Sequence, residues 1–230
     1  MKTTRTSSLL ASSLSKGCSS RCFARPRNFE SLEFVEISRK GVMAGHLILA
    51  SGSPRRRQMF AAAELDFQVI PSPAEEIHDV EMPLHLLCEA NAKLKALAVS
   101  KDHAEATVVG ADTLVYIDQT PLGKPSDPDE ARAMLAQLSG RVHQVCTGVC
   151  LARGESIHCF HAITEVVFKR LTAEVIEHYM AKVDVMDKAG SYAIQDHGEM
   201  IITEMRGDYD NVVGLPMALL LDELKSFHSR

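Results

Sequence analysis

The chain contains no tryptophan, and only 5% of its 230 residues are aromatic. It is not short of apolar residues, which make up 46%. That is enough for one sizeable core, or for two small lobes around a cleft. No apolar run approaches the ~20 residues that a membrane-spanning helix needs, which excludes a helical span and argues against a membrane partner. The six cysteines (Cys18, Cys22, Cys88, Cys146, Cys150 and Cys159) form no CxxC pair and no paired framework. They read as reduced thiols of an intracellular protein. Cys146 and Cys150 have a spacing that a zinc site can use, but they lie in an alternating strand pattern, which favours packing. The ten histidines are scattered and form no HExxH, so none is assigned to a metal. There is no internal repeat.

Acid is missing from one end. Before Glu30 the chain has no Asp or Glu, and it is rich in Ser, Thr and Arg. Residues 1–42 carry eight Lys/Arg against three Glu, whereas the whole chain has a net charge of −5. The body from Met43 onward is therefore acidic. An acidic body argues against a nucleic-acid polymer as partner, because phosphate neutralisation dominates that affinity. The first 42 residues read as a disordered extension or an organelle transit peptide. Met43, just before "AGHLILAS", is a natural start for the folded domain, taken as 43–230. The expected location is the cytoplasm, or a mitochondrion or plastid if the extension is a transit peptide.

Within the body, apolar periodicity predicts a buried strand over 46–51, a helix from Pro54 to about Glu64 and a strand over 67–71. An acidic loop, "PAEEIHD", and a long helix from Pro83 to about Lys101 come next. A strand over 108–117 leads into "DQTPLGKP", read as turn and loop. Asp127–Glu130 opens a helix with both ends of a capping box. Strands over 143–152 and 157–169 flank "RGES" as a hairpin. Then come a helix over 172–182, the loop "DKAGSYAIQDHG", a strand over 199–204 and a last helix from Pro216. Alternation followed by a hairpin predicts an α/β fold: a mixed twisted sheet with flanking helices, in two lobes.

The chemistry begins at "LILASGSPRRRQMF". A strand ends in Ser51, Gly52 and Ser53, and a helix starts at Pro54, with Ser53 positioned to cap it. Three arginines follow at the positive end of the helix dipole, which costs stability unless something negative binds. Strand, small-residue turn and helix start together make an anion site, and Arg55 and Arg56 add planar donors that match phosphate. The competing reading is a surface helix whose arginines pair with nearby acids. The Gly-Lys-Thr/Ser ending of a Walker loop is absent.

Asp112 interrupts the apolar run "VVGADTLVYID". A carboxylate there is expensive unless it is paired, metal-bound or facing a cleft, so it is the candidate general base or metal ligand. The alternative is a buried Asp that caps a turn. Thr113 beside it can bond a ligand or only the ladder. Lys124, held between Gly123 and Pro125, can reach a phosphate in the same cleft, or can be an ordinary solvated lysine. Glu75, Glu76 and Asp79 can hold a hard cation, or form a solvated acidic loop. Lys95 on the long helix and Gln195 in "SYAIQDHG" mean little alone. Together, phosphate donors, a buried carboxylate and extra acids are what metal-assisted attack on a phosphoanhydride requires.

In order along residues 46–227, "LASGSPRR", "EE", "KALAV", "GADT", "GKP", "LSGRVHQVCTGV", "MDKAGSYAIQ" and "NVVGLP" resemble the Maf family of nucleoside triphosphate pyrophosphatases. The resemblance implies a mixed α/β fold with a central cleft, related to the inosine triphosphate pyrophosphatases, usually as a homodimer. It implies hydrolysis of a nucleoside triphosphate to the monophosphate and pyrophosphate with a divalent cation, Mg²⁺ or Mn²⁺. Asp112 matches the family's proton acceptor. Ser51, Ser53 and Arg56 match its phosphate-binding segment, and Glu76, Lys95 and Lys124 match charged residues of the cleft. Glu76 and Asp112 are the expected metal carboxylates. Arg55, Thr113 and Gln195 match positions linked to substrate choice and resemble the branch acting on dTTP and UTP. The 7-methyl-GTP branch typically has an aromatic in place of Arg55 and Gln in place of Thr113. Ala193 and Asp196 stand where glycines are usual. The other alternative is a nucleotide-binding regulator of cell division without turnover.

Overall fold

Two short parallel pairings set the frame. In a computed structural model, which describes residues 46–79 and 81–229, β1 (Leu47–Leu49) lies between β2 (Phe67–Val69) and the start of β3 (Thr107–Ile117). The extension 1–42 and the domain start at Met43 lie outside the described residues. β1 is only three residues long and wholly buried, as a central parallel strand must be. Helices α1 (Pro54–Ala62) and α2 (Leu84–Ser100) supply the crossovers.

The antiparallel half follows. β4 (Thr120–Leu122) folds back on β3. After α3 (Pro128–Leu138), the long hairpin of β5 (Val142–Arg153) and β6 (Ser156–Phe168) adds to the other edge of β3. Next come α4 (Ala173–Met180), a 3₁₀ turn at Ala189–Ser191 and a helical turn α5 (Gly198–Ile201). Finally β7 (Ile202–Arg206) pairs with β6, and α6 (Tyr209–Val213) leads to α7 (Met217–His228). The result is a mixed seven-stranded sheet in the order β2-β1-β3-β5-β6-β7, with β4 on β3. Among the described residues no helix is long and apolar enough to cross a membrane.

The pleat decides which residues meet which layer. Val108, Cys150 and Ala152 turn to one face, against Ala92, Ala96 and Val99 of α2. Val109, Ala111, Val149 and Leu151 turn to the other, against Phe60 of α1 and Leu220 and Leu224 of α7. Complete burial of Phe60 stabilises by about 1.5–3 kcal/mol. Further along the strands, Val115, Val145 and Val166 pack with Leu135 and Leu138 of α3 and Tyr179 of α4. These last two cores lie along one continuous sheet.

α2 approaches the sheet through two glycines. A Cβ on Gly110 would lie 2.2 Å from the carbonyl oxygen of Ala92. One on Gly148 would lie 2.3 Å from the carbonyl carbon of Cys88. Only hydrogen fits at either place.

Some local expectations need correction. Ser53 is the N-cap of α1, but its side chain makes no capping bond, and its N–H instead donates to Ser51 Oγ at 3.3 Å. Asp127 caps α3 as expected, accepting from the N–H groups of Asp129 and Glu130. Glu130 reaches back to the N–H of Ser126 rather than to Asp127, one residue beyond the box. The loop read at 118–125 contains β4, because Asp118 (φ 49°) and Gln119 (φ 63°) form a two-residue turn with positive φ at both positions. Such turns normally announce themselves with Asn-Gly or Asp-Gly. The strand read at 199–204 begins only at Ile202, after α5.

One buried titratable group lies behind the lining of the cleft. His143 is 2% exposed, and its Nε2 pairs with the Tyr192 hydroxyl at 2.8 Å, while Nδ1 has no partner. Burial pulls its pKa down to about 4, from 6.5. The unfolded chain therefore binds the extra proton between these values, and stability present above about pH 6.5 is lost as pH falls toward 4. We expect His143 to account for about 2 kcal/mol of lost stability between pH 7 and pH 5. Urea melts of wild type and His143→Gln at both pH values measure it. Equal pH slopes in the two proteins would refute the assignment.

Candidate active site

β3 has β5 along one edge, but its other edge is divided. β1 pairs up to Val109 and β4 resumes at Val115, leaving the edge of residues 110–114 without a strand. Asp112 and Thr113 lie in this gap, on consecutive positions that face opposite sides of the sheet. A cleft of about 890 Å³ opens there, and it is bordered by Ser51, Ser53, Arg55, Arg56, Glu76, Lys95, Asp112, Thr113, Lys124 and Gln195, ten residues that the sequence proposed for the site.

Asp112 is 4% exposed and faces α2. Lys95 Nζ donates to Asp112 Oδ1 at 2.7 Å and to Glu76 Oε1 at 2.6 Å. Asn91, one turn earlier on α2, donates from Nδ2 to Asp112 Oδ2 at 3.1 Å. The same amide exchanges bonds with the N–H and C=O of Ile77, which fastens the loop carrying Glu76 to the helix. The buried carboxylate is thus paired and hydrogen-bonded, as burial demands. Sequence reasoning missed Asn91. The signal was its place four residues before Lys95, which puts both on one face of α2.

The opposite wall is the start of α1. Arg56 is buried, and four of its N–H groups are taken by protein acceptors. Nε donates to the Gly214 carbonyl at 2.8 Å, and Nη1 to Ser51 Oγ at 3.2 Å and the Ala111 carbonyl at 3.0 Å. Nη2 donates to Thr113 Oγ1 at 2.9 Å. Arg56 thereby satisfies a carbonyl in the strand gap and holds together β3, the 51–53 turn and the entry to α7. Burial pulls its guanidinium below the ordinary arginine value, and Asp112 opposes that pull. One N–H, on Nη2, is left for a ligand. Gly214 stands at φ 133°, a conformation that side chains rarely adopt, so its carbonyl can face Arg56 and Thr113.

Arg55 and Lys124 meet at the rim on a residue that the sequence did not single out. Lys124 Nζ donates to Asp187 Oδ1 at 2.6 Å, and Arg55 donates to the Asp187 carbonyl at 3.3 Å. The Lys124 hydrogen bond, with added attraction from Arg55 and Lys188, holds the Asp187 carboxyl below its usual range. The signal available was the "DK" pair in the loop before Gly190. Gln195 lies exposed at the mouth of the cleft.

The alternative of a cation held by the three loop acids is not assembled. Of the three loop acids only Glu76 borders the cleft, and Asp79 is turned to the N–H of Glu81. Among the described residues no group of three or more His, Cys, Asp or Glu is placed to hold a metal. What remains is Asp112 and Glu76, bridged by one ammonium. Two carboxylates facing a phosphate-sized cleft fit the habit of Mg²⁺, which takes one or two carboxylates and completes its shell with substrate phosphates and water.

A family model described as Maf-like protein matches residues 46–227. A dTTP/UTP pyrophosphatase of Akkermansia muciniphila is 52% identical over 171 residues, covering 74% of this chain and 90% of that protein. One from Bacillus cytotoxicus is 47% identical over 183 residues, covering 79% and 95%. Among solved structures, the Staphylococcus aureus Ham1 protein aligns at 15% identity with a TM-score of 0.48, covering 79% of this chain and 98% of that one.

Proposed function

From the premise that the chain belongs to the family of Maf-like proteins, we propose that it is a pyrophosphatase that hydrolyses dTTP and UTP to the monophosphate and pyrophosphate. The observation that carries the reading is the buried Asp112, held by Lys95 and Asn91, facing a cleft whose other wall is an arginine-bearing helix start. A protein that only bound nucleotides would have no use for a buried carboxylate beside a triphosphate, because like charges repel.

The helix start and Arg55 receive the triphosphate, with the free N–H of Arg56 behind them. Asp112 accepts the proton of a water that attacks the α-phosphorus, and the bond from that phosphorus to the bridging oxygen breaks. The charge gathering on departing pyrophosphate is offset by Lys95, Lys124 and Arg55. Asp112 and Glu76 would hold a divalent cation, Mg²⁺ or Mn²⁺, which when bound supplies further charge neutralisation at the phosphates. Thr113, Gln195 and Arg55 select the pyrimidine by hydrogen bonds that other bases leave unmade. A homodimer is part of this reading, and sedimentation of the purified chain measures it.

The test is pyrophosphate release by the full chain with Mg²⁺ from dTTP, UTP, CTP, GTP and 7-methyl-GTP side by side. We expect dTTP and UTP to lead. Leadership by 7-methyl-GTP would keep the reaction and overturn the selection residues, and absence of release from a folded, nucleotide-binding chain would overturn the reaction.

The rim makes a separate prediction. Asp187 occupies the two cations that a departing phosphate needs, so Asp187→Asn is expected to tighten pyrophosphate binding. Lys124→Ala is expected to weaken it. Both groups are half exposed or more, so each change is about two- to fivefold. Calorimetric titration measures both, and weaker binding in Asp187→Asn would show that the carboxylate positions the cations rather than competing for them.

A further inference from the structure

The longest strand pairing of the sheet sets two thiols side by side. In the β5–β6 register Cys150 stands directly opposite Cys159, on the face turned to α2. Directly opposed residues of an antiparallel pair have Cβ atoms about 4.5–5.5 Å apart, and a disulfide wants about 3.5–4.5 Å. A small side-chain movement, with no change of register, spans the difference. Cys150 Sγ donates to the Leu151 carbonyl at 3.8 Å.

The two sulfurs are not equivalent. Cys150 is completely buried among Ala92, Ala96, Val108 and Ala152. Cys159 is partly exposed, at the outer margin of the same cluster. The neighbouring Cys150 thiol lowers the pKa of Cys159, with help from Lys93 on α2, and the pairing raises that of Cys150. Glu89, which pairs with His161 two residues further along β6, acts against the Cys159 thiolate. An accessible thiol biased toward thiolate beside a sheltered one is the usual arrangement of an attacking and a resolving cysteine.

We infer that Cys150 and Cys159 form a peroxide-sensitive dithiol site, closing to a cross-strand disulfide when the protein meets a hydroperoxide. The Cys159 sulfur attacks the outer oxygen of the hydroperoxide and the O–O bond breaks. This gives a sulfenic acid at Cys159 and releases water or an alcohol. Cys150 sulfur then attacks the Cys159 sulfur, the S–O bond breaks, and the hydroxyl leaves as water with the Cys150 proton. In sum two thiols are oxidised to one disulfide, and one peroxide is reduced to water or alcohol and a second water. A dithiol reductant reverses it by exchange.

Neither cysteine borders the nucleotide cleft. The site therefore stands or falls independently of the proposed hydrolysis. The experiment treats the full chain with hydrogen peroxide, alkylates it with iodoacetamide and maps tryptic peptides. The expected result is a linked pair of peptides, 142–153 with 154–169, in which Cys146 is alkylated and Cys150 and Cys159 are not. Two of the six cysteines are lost to alkylation and return with dithiothreitol. The link should vanish in Cys159→Ser, which replaces the less buried partner, and in Cys150→Ala, which suits an apolar pocket. Oxidation of Cys159 to sulfinic acid while Cys150 stays alkylatable would overturn the proposal. So would a link to any other cysteine or to a second chain, or continued alkylation of both thiols after peroxide.

Discussion

Asp112→Asn is expected to lower kcat for dTTP by about 10²–10⁴-fold, the scale of a lost general base. The substitution is nearly isosteric, but an amide has one acceptor oxygen where the carboxylate had two, so it keeps the bond from Asn91 and gives up the one from Lys95. Asn91 still finds an acceptor, and Lys95 keeps Glu76 at 2.6 Å, so the folded state survives. Nucleotide binding measured without added metal should persist, since removing a buried negative charge does not disfavour an anionic ligand. Turnover, binding and a urea melt of the same preparation separate the three effects. Turnover within a few-fold of wild type would remove Asp112 from the chemistry. A matching loss of binding and stability would make its role structural.

Gly148→Ala is expected to be strongly destabilising, by about 3 kcal/mol or more. The added carbon would meet the Cys88 carbonyl carbon at 2.3 Å, and the Cys88 oxygen and Glu89 nitrogen at 2.5 Å. These are backbone atoms in α2 and cannot rotate away, so the helix itself must lift. The urea midpoint should fall by roughly 1–3 M. Activity should fall with it under conditions where the variant is still folded. Gly148 lies opposite Asp112 in the β3–β5 register, and lifting α2 draws Asn91 and Lys95 off that carboxylate. Gly123→Ala is the control, because nothing lies within 4 Å of its added carbon. A Gly148→Ala protein with an unchanged midpoint would show that α2 is not seated on the glycines.

Much of the site was legible because its parts are local. "SGSPRRR" is strand end, turn and helix start within a few residues, and Asp112 is conspicuous in an apolar strand. The order of elements followed from periodicity for the same reason. What escaped was contact between distant segments. Arg56 reads as a phosphate ligand, yet most of its donors bind Ser51, Ala111, Thr113 and Gly214, and only folding brings Gly214 beside it. Asn91 looks like an ordinary helix residue until Ile77 and Asp112 arrive on its two sides. Asp187 gains meaning only beside Lys124. β4 was missed because Asp118-Gln119 makes its turn without glycine.

The divided edge of β3 has a consequence for descent. Asp112 and Thr113 are one peptide apart, yet the pleat sends one toward α2 and the other toward Arg56 and Gly214. On the proposed reading, bond cleavage hangs from one side of a single strand and the choice of base from the other. A lineage can then exchange residue 113 and its surroundings, and so acquire a new substrate, while leaving the hydrolytic carboxylate and its helix untouched. The strand works as a hinge between inherited chemistry and negotiable taste.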